Sequence, residues 1–368
     1  MSVCIVVEED PILRTVPVIL DPATSAEHEA AVVEWYRHDV RDFLAWRDGL
    51  RARLSGLFPA EVLFALGQED FAEKVPRADA IVVESLLVGE AELAVAPRLR
   101  AVLKFGALPS NVDLVACQRA GVRVEVQRRH VNVAVAEHAM AFMLALAKRL
   151  PEVGGVVTAA GLVAAGFDPT PFDRRYTGNS NFARIPGLGT LAGATLAIVG
   201  LGEIGREIAR RAAAFEMRVR YFQRHRVEAV EEWALHASYG SLEEILPTAD
   251  YVSLNLPLTP ATRGFIGARA LASMKPGAVL VNVARAELVD RVALLEALDS
   301  GHLGALDSGH LGGFALDVGY EEPAAPDDAL LGRPNVLLTP HSAVGSRWNG
   351  IHDMEEMYAK LWRALTGG

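Results

Sequence analysis

Two kinds of apolar pattern alternate along the chain. Short runs dense in valine, isoleucine and leucine occur at 4–7 (CIVV), 61–66 (EVLFAL), 80–85 (AIVVES), 101–106 (AVLKFG) and 122–126 (VRVEV). A second series follows at 195–202, 218–222, 250–257, 278–284, 314–318 and 335–340. These runs are apolar throughout instead of alternating with polar residues, the pattern of parallel strands covered on both faces. Longer amphipathic stretches such as 203–215 and 290–299 lie between them and read as helices. Strand–helix–strand repetition of this kind predicts a doubly wound α/β architecture.

Two stretches break the rhythm. Residues 151–190 hold seven glycines and four prolines and show no period. A segment so long and irregular reads as a linker, a functional loop or an interface arm, and on pattern alone a domain change falls near it. Residues 297–312 are the octapeptide ALDSGHLG repeated in tandem. Two copies do not make a solenoid. Gly301 and Gly309 can each end a helix in the left-handed conformation, so the repeat reads as a duplicated surface loop. Duplication during cloning or assembly is the other reading. His302 and His310 are then copies of one surface residue, not ligands.

Composition narrows the class. A chain of 368 residues, 51% apolar, can bury a large core, and its length suggests two domains. A net charge of -10 leaves no basic face for nucleic acid or an anionic membrane. Cys4 and Cys117 are too few for a disulfide framework or a cysteine metal site and suit a reducing cytoplasm. The N-terminus meets Glu8, Glu9 and Asp10 before any long apolar segment, unlike a secretory leader. The most apolar helical stretch, 131–148, includes Glu137 and His138 and is short for a membrane span. A soluble cytoplasmic protein is expected.

The run TLAIVGLGEIGREIARRAAAF places Gly200, Gly202 and Gly205 in the spacing G-x-G-x-x-G between a strand and a helix. Gly200 permits the tight turn, Gly202 lets a pyrophosphate approach the backbone, and Gly205 lets helix and strand pack closely. Amides near Glu203 and Ile204 would face the phosphates with the helix dipole behind them. A dinucleotide site is indicated, against the plainer reading of a tight turn with nothing bound. Such sites place a carboxylate about 20 residues on, for the ribose hydroxyls. Here Gln223 stands there, followed by Arg224, His225 and Arg226. A neutral amide tolerates a 2'-phosphate and a guanidinium binds one, so NADP(H) is favoured over NAD(H), with use of both left open. The alternative is that Arg224 and Arg226 are solvated loop charges.

Further on, VNVARAELVD, FALDVGYEEP and LLTPHSA each end a strand-like run. They bring Arg285, Asp317, Glu321, Glu322 and His341 to the edge where an open α/β sheet presents its ligands. No cluster has metal-ligand spacing, so no metal is expected, and no serine or cysteine sits in a nucleophile motif.

With these motifs, and with NVAVAEHAM, LPLTPATRGFIG, MKPGAVLVNVARAELVD and LLGRPNVLLTPH, the chain resembles the D-isomer-specific 2-hydroxyacid dehydrogenases over roughly residues 98–345. The resemblance implies two doubly wound parallel-sheet domains with a cleft between. One is a Rossmann nucleotide domain (131–341, with 151–190 as a loop or dimerisation arm). The other is a flavodoxin-like substrate domain (1–130 plus 342–368). It implies a homodimer that interconverts a 2-oxoacid and a D-2-hydroxyacid by hydride transfer. It makes His341 the acid–base group, Glu322 rather than Glu321 its partner, and Arg285 the residue that holds and polarises the substrate. It gives Asp317 the nicotinamide carboxamide and sets Pro257, Thr262, Val283 and Ala284 along the cofactor. Loop residues Ala107 and Leu108 would bind the substrate carboxylate. Asn132 matches a substrate-contacting position of the related formate dehydrogenases. Those enzymes carry glutamine where this chain has Glu322, which argues against formate oxidation.

The chain departs from the pattern in places. KFGALPSNVD has Leu108 and Pro109 where more permissive residues are usual, and proline offers no amide. VQRRHVN places Arg128, Arg129 and His130 where small residues are common. They read as solvated charges, with attraction of a second anionic group on the substrate as the sharper alternative. Arg285 and Glu322 lie 37 positions apart, and 29, the family spacing, once one octapeptide is taken out. Two other readings stay open: the same scaffold acting on a phosphonate or other unusual hydroxy substrate, and a dinucleotide-sensing corepressor.

Overall fold

All strand pairings of the two sheets in the computed structural model, which describes residues 3–299 and 310–366, are parallel. The chain divides into two compact units, Met1–Asn132 with Val344–Gly368 and Val133–Ala343. Each has its own sheet.

The first unit holds β1 (Val3–Glu8), β2 (Ala60–Ala65), β3 (Ala80–Val83), β4 (Ala101–Lys104) and β5 (Arg123–Val126) in the order β2-β1-β3-β4-β5. This is the flavodoxin-like winding. The helix Arg347–Thr366 covers one face, burying Met354, Met357, Tyr358, Leu361 and Leu365 in one cluster with Ile5, Val16 and Leu103. The spacing of those residues is the one-faced stripe of an amphipathic helix.

The second unit holds β6 (Thr195–Val199), β7 (Arg218–Phe222), β8 (Ala237–Tyr239), β9 (Tyr251–Leu254), β10 (Ala278–Asn282), β11 (Leu311–Leu316) and β12 (Val336–Leu338). Their order is β12-β11-β10-β9-β6-β7-β8. From β6 the chain winds outward through β7 and β8, then returns to β9 on the other flank. The winding reverses between β6 and β9, and a crevice opens there at the carboxyl ends of the strands. Two doubly wound parallel sheets, the expected architecture, are therefore present.

Eight predicted strand runs extend beyond the carboxyl ends of the observed strands, three of them beside the glycine turn and the loops that follow β9 and β10. β6, β9 and β10 finish at Val199, Leu254 and Asn282, and the remaining residues of each run form loops at the crevice edge. β8 was not predicted from the sequence. It is three residues long, and its middle residue, Ser238, is exposed. Residues 151–190 lie inside the second unit and not between units, and they carry the short helices Leu150–Val153 and Ala159–Ala164. Their irregularity marks a surface excursion instead of the domain change expected from the pattern. The helix His130–Ala147 is the one described helix long and apolar enough to cross a membrane. Val135, Ala136, Ala139, Met140, Phe142 and Met143 are buried, as in the core helix of a globular fold.

Candidate active site

The three glycines of the turn after β6 have different surroundings. Gly200 has φ +99°, and a Cβ there would lie 2.7 Å from the Asn255 carbonyl oxygen. A Cβ on Gly205 would come within 2.2 Å of the Gly200 carbonyl oxygen, so the helix Glu203–Ala214 can sit this close to β6 only without a side chain there. Gly202, the N-cap of that helix, would meet nothing within 4 Å. Two glycines serve packing and the middle one keeps space open beside a helix N-terminus, whose first-turn amides have no intrahelical acceptor. Asn255, adjoining this turn, has a buried Oδ1 without a hydrogen-bond partner among the described residues. Sequence reasoning missed it. An open approach, a helix start and an orphaned acceptor fit a bound dinucleotide.

The basic stretch after β7 resolves into separate roles. Arg226 donates to both Glu232 oxygens, at 2.8 and 2.7 Å, and Tyr221 donates its hydroxyl to the same carboxylate at 2.8 Å. These bonds, that from Arg226 foremost, hold the Glu232 carboxyl at about 2, well below the ordinary range. Arg226 is therefore an exposed cation whose guanidinium is engaged by Glu232. Gln223 turns its amide nitrogen to the His225 carbonyl at 2.6 Å. Arg224 is exposed and has no ion-pair partner among the described residues.

The loops after β11 and β12 meet. His341 Nδ1 lies 2.9 Å from Glu322 Oε2, and the Gly319 amide donates to the other Glu322 oxygen at 3.0 Å. The pair is partly exposed, and Nε2 of His341 has no protein partner among the described residues. A ring held by its Nδ1 to a carboxylate presents its other nitrogen for proton transfer, with the tautomer set by the carboxylate.

His341 has φ +52°, a left-handed backbone that a non-glycine residue adopts only under local constraint. Asp317 supplies much of that constraint. Its carbonyl accepts from the His341 amide at 2.9 Å. Its carboxylate accepts from the Thr339 hydroxyl at 2.6 Å, the Ser342 amide at 2.8 Å and the Ala343 amide at 3.0 Å. At 1% exposure, this carboxylate faces into the loop. Both of its oxygens accept bonds from the loop around His341.

Arg285 is exposed after β10, and its guanidinium donates to the Ala284 carbonyl at 2.7 Å. Buried Asn282 fixes its main chain, donating to the Arg285 carbonyl at 2.7 Å and accepting from the Ala284 amide at 3.0 Å. Val283 is buried and Ala284 half-buried beneath. After β9, Thr262 donates its hydroxyl to the Pro257 carbonyl at 2.7 Å and so shapes that loop.

In the first unit, Ala107 is exposed, and Leu108 and Asn132 are half-buried. The Gln127 amide donates to the Gly106 carbonyl at 2.8 Å, joining the two loops at this edge. Of the three basic residues expected to be solvated, His130 is bound through Nδ1 to buried Asp353 at 2.9 Å. Arg129 lies over the Phe105 ring, 4.3 Å from its centroid.

His302 lies outside the described residues. His310 is half-buried and its Nε2 bonds the Leu271 carbonyl at 2.6 Å, so it is not a free surface residue. The second octapeptide runs directly into β11, where Gly312 packs so tightly on Gly277 that a Cβ would approach its carbonyl oxygen to 2.2 Å. β11 pairs with β10 from Val279↔Gly313 to Asn282↔Leu316, and Glu322 still reaches His341. Deleting 305–312 puts the identical Leu303 and Gly304 at the strand start. Turnover within about twofold of the parent is expected. A tenfold loss in steady-state assay would show that the extra copy sets the register.

Among the described residues, no three His, Cys, Asp or Glu side chains gather as a metal site would require. Residues 170–343 match the family described as D-isomer specific 2-hydroxyacid dehydrogenase, NAD binding domain. A glyoxylate reductase of Thermococcus gammatolerans is 35% identical over 304 residues, covering 82% of this chain and 84% of that one. A glyoxylate reductase of Pyrococcus furiosus is 36% identical over 303 residues, covering 82% and 83%. The crystal structure of a glyoxylate reductase from Paecilomyes thermophila superposes with a TM-score of 0.56 at 26% identity, covering 99% of this chain and 96% of that one.

Proposed function

Because this chain belongs to the D-isomer-specific 2-hydroxyacid dehydrogenases and interconverts a 2-oxoacid and a hydroxyacid with NAD, we propose the roles of its site residues. His341 is the acid–base group, Glu322 orients it, and Arg285 binds and polarises the 2-oxoacid. The observation that carries this is the 2.9 Å pairing of His341 Nδ1 with Glu322 at the carboxyl edge of the sheet that bears the Gly200–Gly205 turn. The reduced nicotinamide, when bound, supplies the hydride. His341 gives its Nε2 proton to the oxygen that becomes the alkoxide, and takes it back in oxidation. Glu322 stabilises the charged ring, and the Arg285 guanidinium offsets negative charge on carboxylate and carbonyl oxygens. Gly202 and the amides near Glu203 and Ile204 hold the pyrophosphate. Asp317 positions the His341 loop.

The substrate we assign is a small 2-oxoacid of the glyoxylate type, in line with the named activities of the two archaeal relatives. They favour neither an unusual hydroxy substrate nor a corepressor role. Oxidation of reduced cofactor with a 2-oxoacid panel tests this, and no turnover with any member would overturn it.

For the adenosine end, the same reading assigns NADP(H) over NAD(H), with Arg224 on the 2'-phosphate. Its support is the neutral Gln223 and the exposed Arg224, which has no ion-pair partner among the described residues. Arg224→Ala is expected to lower kcat/KM for NADPH about tenfold, with a far smaller change for NADH. Equal effects on both cofactors, or a parent that prefers NADH, would remove the assignment.

The chain is assigned as a homodimer of the cytoplasm. Leu150, Val157, Val163 and Tyr176, in and beside the irregular segment, are 52%, 75%, 62% and 82% exposed, an apolar run suited to a second copy. Both cysteines are free and buried, as a reducing compartment allows. Sedimentation as a single species of 39.6 kDa at micromolar concentration would exclude the dimer.

A further inference from the structure

We propose that His138 is a positioning residue for this reaction, fixing through Thr339 and Asp317 the loop that presents His341. The inference rests on His341 being the acid–base group. His138 lies in the helix His130–Ala147, far from the crevice loops in sequence. Its Nε2 is 3.0 Å from the Thr339 hydroxyl and 3.7 Å from Asp317 Oδ1.

The direction of the chain follows from its protons. The Thr339 hydroxyl has one hydrogen and gives it to Asp317 Oδ1 at 2.6 Å. A carboxylate only accepts, so the bond between Thr339 and His138 is made by a hydrogen on Nε2. His138 therefore donates into the network, whether its ring is neutral or charged. The Phe142 ring, one helical turn on, meets the imidazole edge-on at 4.5 Å and 79° and holds it in this orientation.

The remaining bonds to the Asp317 carboxylate come from residues 339–343, the loop itself. The Thr339 amide donates to the Leu316 carbonyl of β11 at 3.0 Å, and His138 adds a side-chain tie from that loop to a helix. That tie matters because the His341 backbone is left-handed, a conformation that persists only while its surroundings impose it. The Asp317 carbonyl that receives the His341 amide and the Asp317 carboxylate that His138 helps to hold belong to one residue, so the imidazole is fixed from both ends of Asp317.

The test is a donor swap. His138→Leu removes the donor, and His138→Gln keeps an amide nitrogen able to reach Thr339. His138→Leu is expected to lower kcat about tenfold while dinucleotide Kd stays within about twofold, because the proton donor is misplaced and the cradle is untouched. His138→Gln should recover most of the loss. Thr339→Val should match the leucine variant, Thr339→Ser should match the glutamine variant, and His138→Leu with Thr339→Val should lose no more than the worse single change. Equal damage from leucine and glutamine would overturn the proposal, since a packing role makes no distinction between a donor and none. So would parental turnover in His138→Leu. If that variant does not fold, the Thr339 pair decides from the other end of the chain. Turnover in His341→Ala reports on the acid–base assignment and the glutamine-to-leucine ratio on His138, so each fails separately.

Discussion

His341→Ala is expected to lower kcat for 2-oxoacid reduction by about a thousandfold while leaving dinucleotide affinity within about twofold. The two readouts separate because of where His341 sits. It follows β12, whereas the phosphate-binding turn follows β6, two strands beyond β10 in the sheet order. Its Nε2 is the nitrogen left open by the Nδ1 bond to Glu322, and alanine offers no proton in its place. Glu322→Gln should fall between parent and alanine, since an amide can accept from Nδ1 but carries no charge to balance an imidazolium. Single-turnover reduction followed at the nicotinamide absorbance, with cofactor binding titrated by fluorescence, gives both quantities. A kcat within tenfold of the parent for His341→Ala would place the proton donor elsewhere.

Gly205→Ala and Gly202→Ala should fail in opposite ways. At Gly205 the added methyl would lie 2.2 Å from the Gly200 carbonyl oxygen and 3.2 Å from Ile198 Cγ2. The nearer obstacle is backbone, so the helix must move off β6. Overpacking of this kind costs about 1–3 kcal/mol, or several degrees in Tm, and carries the helix N-terminus away from the phosphates. Dinucleotide affinity should fall more than about tenfold with it. At Gly202 the methyl meets nothing within 4 Å, so melting should be unchanged. Affinity should nevertheless drop about tenfold or more, because the methyl occupies the space through which the pyrophosphate approaches. Calorimetry and a fluorescence titration on both variants check the contrast. Parental affinity in Gly202→Ala would mean that no phosphate passes there.

The strands were readable because a strand buried on both faces is apolar along its run, as β6 is from Leu196 to Val199. The glycine turn was readable because its steric demands admit one residue type. His341 and Glu322 needed the surrounding motifs, since a lone loop histidine is uninformative. Other features depend on groups far apart in sequence. The bonds of Asp317 to the His341 loop could not be read from spacing, because its partners lie at 339–343. Arg226 looked like a loop charge until Glu232 folded onto it. Asn255 lies in no motif that marks it, nothing within VNVARAELVD singles out Asn282, and the donor role of His138 appears only when Thr339 is beside it. β8 is too short to have a period.

The pairing of β11 with β10 just downstream of the doubled octapeptide has an engineering consequence. Phe314 and Ala315 are fully buried on this strand, and any slip by one residue would turn them to the opposite face. The strand thus acts as a ruler whose zero lies in its own pairing, and foreign sequence such as an affinity tag, spliced between Asp299 and His310, is expected to leave Glu322 within reach of His341.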